Sequence, residues 1–153
     1  MTIMSVSRLI ASGCGCGFVP VAPGTVGSAA ALVPGVVLLH VSPSLLPVAA
    51  LIAVLVGLWA VRAARVEGDP GWVIVDEIAG QMVALCGLAH ASLTGLAAAF
   101  LVFRLLDVVK PGPVGWADRQ GGAAGIMADD VIAGGITAGI VWALGGRWPS
   151  AMG

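Results

Sequence analysis

Charge is what this sequence has least of. Charged residues make up 10% of its 153 positions and hydrophobic residues 59%, where about 25% charged is usual in a soluble domain. So thin a polar coat excludes an ordinary soluble globule, and so low a charge with so much apolar character excludes disorder. With 7 Lys and Arg and a net charge of -1, there is no basic face for nucleic acid. No segment alternates apolar and polar residues over a strand's length, which argues against sheet and barrel. Cys14, Cys16 and Cys86 lack metal-binding C-x-x-C spacing and read as reduced thiols. The N-terminal stretch, with one Arg and a broken apolar run before a Gly-rich segment, does not read as a cleaved signal. A Walker A loop is also missing. What remains is an integral membrane protein of one domain, residues 1–153, with a mean hydropathy of +1.05.

The few charges are not scattered. Residues 9–61, 78–103 and 131–146 contain no Asp, Glu, Lys or Arg. One cluster holds Arg62, Arg65, Glu67, Asp69, Asp76 and Glu77. A second holds Arg104, Asp107, Lys110, Asp118, Arg119, Asp129 and Asp130, while Arg8 and Arg147 stand alone. The apolar stretches between them divide into about five helices: residues 25–39 with a kink at Pro34, 45–64, 73–88, 93–109 and 130–146. A Gly-rich loop is expected over 112–125, and Thr25 is expected to cap the first helix. Small residues at four-residue spacing, Gly80 with Ala84 and Gly135 with Gly139, suggest close helix packing. Threaded up and down, these helices bring both clusters and Arg8 to one side and leave Arg147 opposite. The excess of cations marks the clustered side as cytoplasmic, as in a multi-pass protein of a bacterial inner membrane.

On that face, Asp76 and Glu77 open the third helix, and Asp129 and Asp130 are expected on the first turn of the fifth. One carboxylate suffices to cap a helix, yet two adjacent ones occur twice beside apolar runs. Arg104 and Asp107 share a helix face, with Lys110 near a further turn. Ionisable residues at membrane depth point to function. Converging carboxylates without His or suitable Cys select a hard, oxygen-seeking cation, and Mg²⁺ fits best, since it commonly also binds substrate phosphate. Arg104 and Lys110 would hold that phosphate. The Gly/Pro loop at 17–28, with Gly24, Thr25 and Ser28 at a helix start, offers backbone N–H groups to an anion. Metal-assisted chemistry on a lipid phosphate follows.

Three stretches carry a resemblance: Pro23-Gly24-Thr25-Val26-Gly27-Ser28, Asp69 through Gly80 with Asp76-Glu77, and Phe103-Arg104-Leu105-Leu106-Asp107-Val108-Val109-Lys110-Pro111 continuing to Asp129-Asp130-Val131-Ile132-Ala133-Gly134. Together they resemble the phosphatidylglycerophosphatase A family over nearly the whole chain. Gly112 departs from the family's usual Trp, and Gly121-Gly122-Ala123-Ala124 from its His-Gly-Gly form. The resemblance implies a Mg²⁺-dependent phosphatase acting on phosphatidylglycerophosphate in the bilayer, within glycerophospholipid synthesis. It implies catalytic roles for Asp76, Asp107, Asp129 and Asp130, metal ligation by Asp76, Glu77, Asp107 and Asp130, and substrate binding by Gly24, Thr25, Ser28, Arg104 and Lys110. Attack by activated water is the favoured route, with an aspartyl-phosphate on Asp129 or Asp130 as its rival.

Two other classes stand beside this one. A lipid phosphotransferase is disfavoured because D-x-x-D-G-x-x-A-R is absent. A small ion-binding transporter would need polar residues along mid-helix, where only Gln81, Thr94 and Thr137 occur. His40 and His90 fall at the turns opposite the charges, and Trp59, Trp72, Trp116, Trp142 and Trp148 near helix ends, as interfacial anchors. The sequence leaves the oligomeric state open.

Overall fold

The computed structural model describes residues 4–147. Among them the chain is all helical and contains no strand: α1 Val6–Ala11, a short 3-10 turn Cys16–Phe18, α2 Pro23–Val41, α3 Leu45–Ala63, α4 Val75–Leu85, α5 Leu93–Val109, α6 Pro113–Asp118 and α7 Gly122–Arg147. The all-α bundle is as expected, but seven helices replace five. The two additions are short. α1 is capped by Ser5, whose side chain accepts from the Arg8 N–H. α6 starts on Pro113, whose fixed φ suits a first helical turn. It lies inside the stretch read as a Gly-rich loop.

α4 organises the bundle. It packs against α7, α3, α2 and α5, and eight of its 11 residues are buried. Its rise is about 16 Å, half the ~30 Å hydrocarbon core, so it is not the full crossing expected over 73–88. Just past its end, Gly87 is pressed against α7, where a Cβ would lie 2.2 Å from the Ala138 carbonyl oxygen. One turn and more earlier, a Cβ on Gly134 would lie 2.3 Å from the Gly80 carbonyl oxygen. Only glycine permits this approach. The small-residue pattern was therefore right for Gly80 and one residue out on α7: Gly135 and Gly139 face open space.

Other sequence expectations are corrected at helix starts. α2 begins at Pro23 after Ala22 in the left-handed region, and no side chain caps it, so Thr25 is not a cap. The helix runs on through Pro34. α7 begins at Gly122 because Gly125 packs against α6, with a Cβ position 3.3 Å from the Ala117 carbonyl oxygen. Asp129 and Asp130 consequently sit about two turns into α7 rather than on its first turn.

Three buried apolar clusters make up the core. Ala31, Leu39, Leu46, Met82, Leu85 and Val141 fill one end. Val61, Val73, Val75, Ile126 and Met127 fill the other, with Phe103 packed between α4 and α7. Three helices, Pro23–Val41, Leu45–Ala63 and Gly122–Gly145, are long and apolar enough to cross a membrane. Their outward residues, among them Val33, Val37, Leu51 and Leu55, are exposed together with Leu101 and Leu105 of α5. Such a continuous apolar surface belongs in lipid. Trp59 of α3 and Trp142 of α7 are exposed on these helices and Trp116 is exposed on α6, whereas Trp72 stacks on Phe18 and lies under Arg8. Trp148 lies outside the described residues. All three cysteines are free. His40 is exposed and bonds through Nδ1 to the Val36 carbonyl oxygen at 2.8 Å.

Candidate metal centre

The ends of α2, α4 and α5 and the eighth and ninth residues of α7 meet at the charged end of the bundle. α4 contributes Asp76 and Glu77 from its first turn. α5 contributes Arg104 and Asp107, three residues apart on one face. α7 contributes Asp129 and Asp130, both buried. Being two turns in, the α7 pair gains little from the helix dipole, which fades within the first turn. These carboxylates need another source of positive charge.

Two groups of three form. Oxygens of Asp76, Glu77 and Asp130 lie within 4.8 Å of one another, and so do oxygens of Asp107, Asp129 and Asp130. Asp130 belongs to both. The groups differ in what neutralises them. Asp107 pairs with Arg104. Asp129 pairs with Lys110 Nζ at 2.8 Å, and Lys110 also pairs with Asp118. Asp76, Glu77 and Asp130 form no ion pair among the described residues. Their Oδ1, Oε2 and Oδ1 atoms are buried without a hydrogen-bond partner. Buried charge without partners is costly, and an all-oxygen donor set of this kind suits a hard divalent cation. The residues fit such an ion.

Hydrogen bonds surround this triad. Ser28 Oγ donates to the Gly24 carbonyl oxygen at 2.9 Å and accepts from Arg104 Nη1 at 3.4 Å. Asp130 N–H donates to Asp129 Oδ1 at 3.0 Å. Lys110 sits at the end of α5 with φ 50, a left-handed conformation that costs a residue with a Cβ about 1–2 kcal/mol. Burial lowers the pKa of its ammonium, but the pairs with Asp118 and Asp129 outweigh this and hold it above the ordinary lysine value.

The structure thus brings Asp76, Glu77, Asp107, Asp129, Asp130, Arg104, Lys110, Gly24 and Ser28 together. Thr25 is left exposed, one residue round the helix from the face that Gly24 and Ser28 share. Asp118 joins through Lys110. Gln81 was read only as a mid-helix polar residue. It is fully buried one turn beyond Glu77, and both its amide atoms lack a partner. Its spacing of four from Glu77 was the available signal.

A family model described as Phosphatidylglycerophosphatase A matches residues 9–145. The chain belongs to this family. It is 36% identical over 146 residues to the phosphatidylglycerophosphatase A of Escherichia coli, covering 93% of this chain and 85% of that one. It is 30% identical over 138 residues to the phosphatidylglycerophosphatase A of Haemophilus influenzae, covering 87% and 85%. A relative from Bacteroides thetaiotaomicron, provisionally named a phosphatidylinositol-3-phosphatase, is 37% identical over 137 residues, covering 82% and 85%. No solved structure matches. Membership makes the chain a phosphatase, and the family match spans α2 to α7, every helix that supplies the carboxylate site.

Proposed function

We propose that this member of the phosphatidylglycerophosphatase A family hydrolyses the terminal phosphomonoester of phosphatidylglycerophosphate with the help of Mg²⁺, at the cytoplasmic face of a bacterial inner membrane. The observation that carries the metal is the triad of Asp76, Glu77 and Asp130, three clustered carboxylates that form no ion pair among the described residues and carry unpartnered buried oxygens. The family supports the substrate. Orientation follows from the gathering of Arg8, Arg62, Arg65, Arg104, Lys110 and Arg119 toward the site's end of the chain's threading.

Asp76, Glu77 and Asp130 would hold the ion, with Asp107 beside them. Bound there, Mg²⁺ would supply charge neutralisation and Lewis acidity toward the phosphoryl group. Arg104 is held by Asp107 and Ser28 with its guanidinium partly exposed. It binds the incoming phosphate through a planar fork of donors. Asp129, outside the triad, takes the proton of the attacking water, and Lys110 fixes its orientation. The new P–O bond forms as the bond to the glycerol oxygen breaks; that oxygen takes a proton from solvent water and leaves as the free alcohol, and Asp129 returns to solvent the proton it took. Acid quenching of a single turnover on ³²P-labelled substrate tests this route. Label that stays on the denatured protein would replace it with an aspartyl-phosphate.

The function itself is tested by phosphate release from purified protein with Mg²⁺ on phosphatidylglycerophosphate, phosphatidylinositol 3-phosphate and phosphatidic acid. Phosphatidylglycerophosphate is expected to be the fastest. A faster phosphatidylinositol 3-phosphate would reassign the headgroup, and no release from any of them would end the phosphatase reading.

A further inference from the structure

We infer that the seam between α2 and α5 is the bed for one acyl chain of the glycerophospholipid substrate, laid so that its phosphate arrives at Arg104 and the carboxylates. This rests on the lipid phosphomonoesterase reading above and adds to it a chain-binding subsite.

A groove of about 570 Å³ lies along these two helices, lined wholly by apolar residues that include Leu32, Val36, Leu93, Leu96, Ala97 and Phe100. It continues the site turn by turn. On α2, Leu32 is one turn beyond Ser28 and Val36 one turn further. On α5, Phe100 is one turn before Arg104 and Leu96 one turn before that. The same helices are tied at the site's edge by the contact of Arg104 Nη1 with Ser28 Oγ. The seam therefore passes from an anion-binding pair to an unbroken apolar channel within a single helical turn.

That is the polarity profile of a glycerophospholipid read from phosphate to chain. The lengths agree as well. From Ser28 to Val37 the helix rises about 13 Å, close to the ~15 Å depth of one hydrocarbon leaflet. The groove opens outward, with Leu93 and Val37 strongly exposed, so a chain can enter sideways from the bilayer. A chain that moves from lipid into this groove gains little hydrophobic free energy, because lipid tails are as apolar as leucine. Its gain is positional: a seated chain fixes where the phosphate sits. Blocking the groove should therefore cost rate at low substrate and not the fold.

Ala97 is exposed on the groove wall, so Ala97→Trp fills the channel without entering the core. Leu51→Trp places the same bulk on an outward face of α3 and serves as control. With dipalmitoyl phosphatidylglycerophosphate in mixed micelles, Ala97→Trp is expected to lower kcat/KM about tenfold and Leu51→Trp to match wild type. A phosphatidic acid probe with a mid-chain diazirine is expected to label wild type around Leu96 and Leu32, and Ala97→Trp far less. Equal rates in the two variants, with label spread over all outward faces, would mean that bulk lipid covers the seam and would overturn the proposal. If wild type releases no phosphate from any lipid, the phosphatase reading fails on its own, and the labelling pattern alone decides the groove.

Discussion

A Cβ on Gly24 would lie 2.2 Å from Glu77 Oε1 and 3.3 Å from Arg104 Nη1. The backbone of α2 is thus pressed directly onto the carboxylate of α4. Gly24 packs a metal-site side chain as closely as it packs a helix.

Gly24→Ala should push Glu77 out of the triad while leaving the bundle folded. Changes to groups that orient metal ligands typically cost about 10–100-fold in metal affinity or activity. The expected outcome is a loss of that size in Mg²⁺-dependent phosphate release, with a rightward shift of the Mg²⁺ titration. An unchanged titration would remove Glu77 from the ion's coordination.

The α4–α7 crossing gives a paired stability test. Gly134→Ala forces a Cβ to within 2.3 Å of the Gly80 carbonyl oxygen, whereas Gly139→Ala meets nothing. The first should destabilise by several kcal/mol, about 3 or more. The second should be neutral or gain up to about 1 kcal/mol from helix propensity. Thermal melts in detergent distinguish them.

Lys110 carries a pH signature. Its pKa is raised in the folded protein, so its ion pairs stabilise fully below the unfolded lysine value of about 10.4 and lose that stabilisation only as pH climbs above it. The melting difference between wild type and Lys110→Gln should therefore be the same at about pH 6 and about pH 9, and should shrink only in stronger alkali. A difference that collapses near neutrality would contradict the double pairing to Asp118 and Asp129.

Gln81 costs stability where it stands, since an unpartnered buried amide is worth about 1–3 kcal/mol of destabilisation. Gln81→Met should melt higher than wild type in chelator by an amount of that order. It should also lower activity, because the amide lies one turn beyond Glu77 and is free to bond to whatever the site holds. Higher melting with full activity would make it a bystander.

Much of this was legible in the sequence because helices keep their residues in order. Asp76 with Glu77, and Arg104 with Asp107, lie close in sequence and share a turn whatever the tertiary fold. The charge-free runs fixed which helix ends carry the site. Tertiary contacts set the rest. Residues 122–125 look like loop by composition, yet Gly125 lets α7 pack on α6 and the helix starts early. Which glycine on α7 faces α4 depends on helix rotation, so Gly134 could not be told from Gly135. Ser28 and Arg104 are 76 residues apart, and no local pattern announces their contact. The division of the carboxylates into a paired set and an unpaired triad likewise exists only once Lys110 and Arg104 have chosen their partners.

Asp130 is the carboxylate common to both groups, and its removal should act on metal and chemistry together. The most direct measurement is the initial rate of phosphate release from phosphatidylglycerophosphate as free Mg²⁺ is titrated, in wild type and in Asp130→Asn. Wild type should rise from no activity in chelator to a saturating rate, and Asp130→Asn should stay at least about a thousandfold lower throughout. A wild-type enzyme at full rate in chelator, or an Asp130→Asn variant with the wild-type titration, would contradict a divalent cation held by Asp76, Glu77 and Asp130.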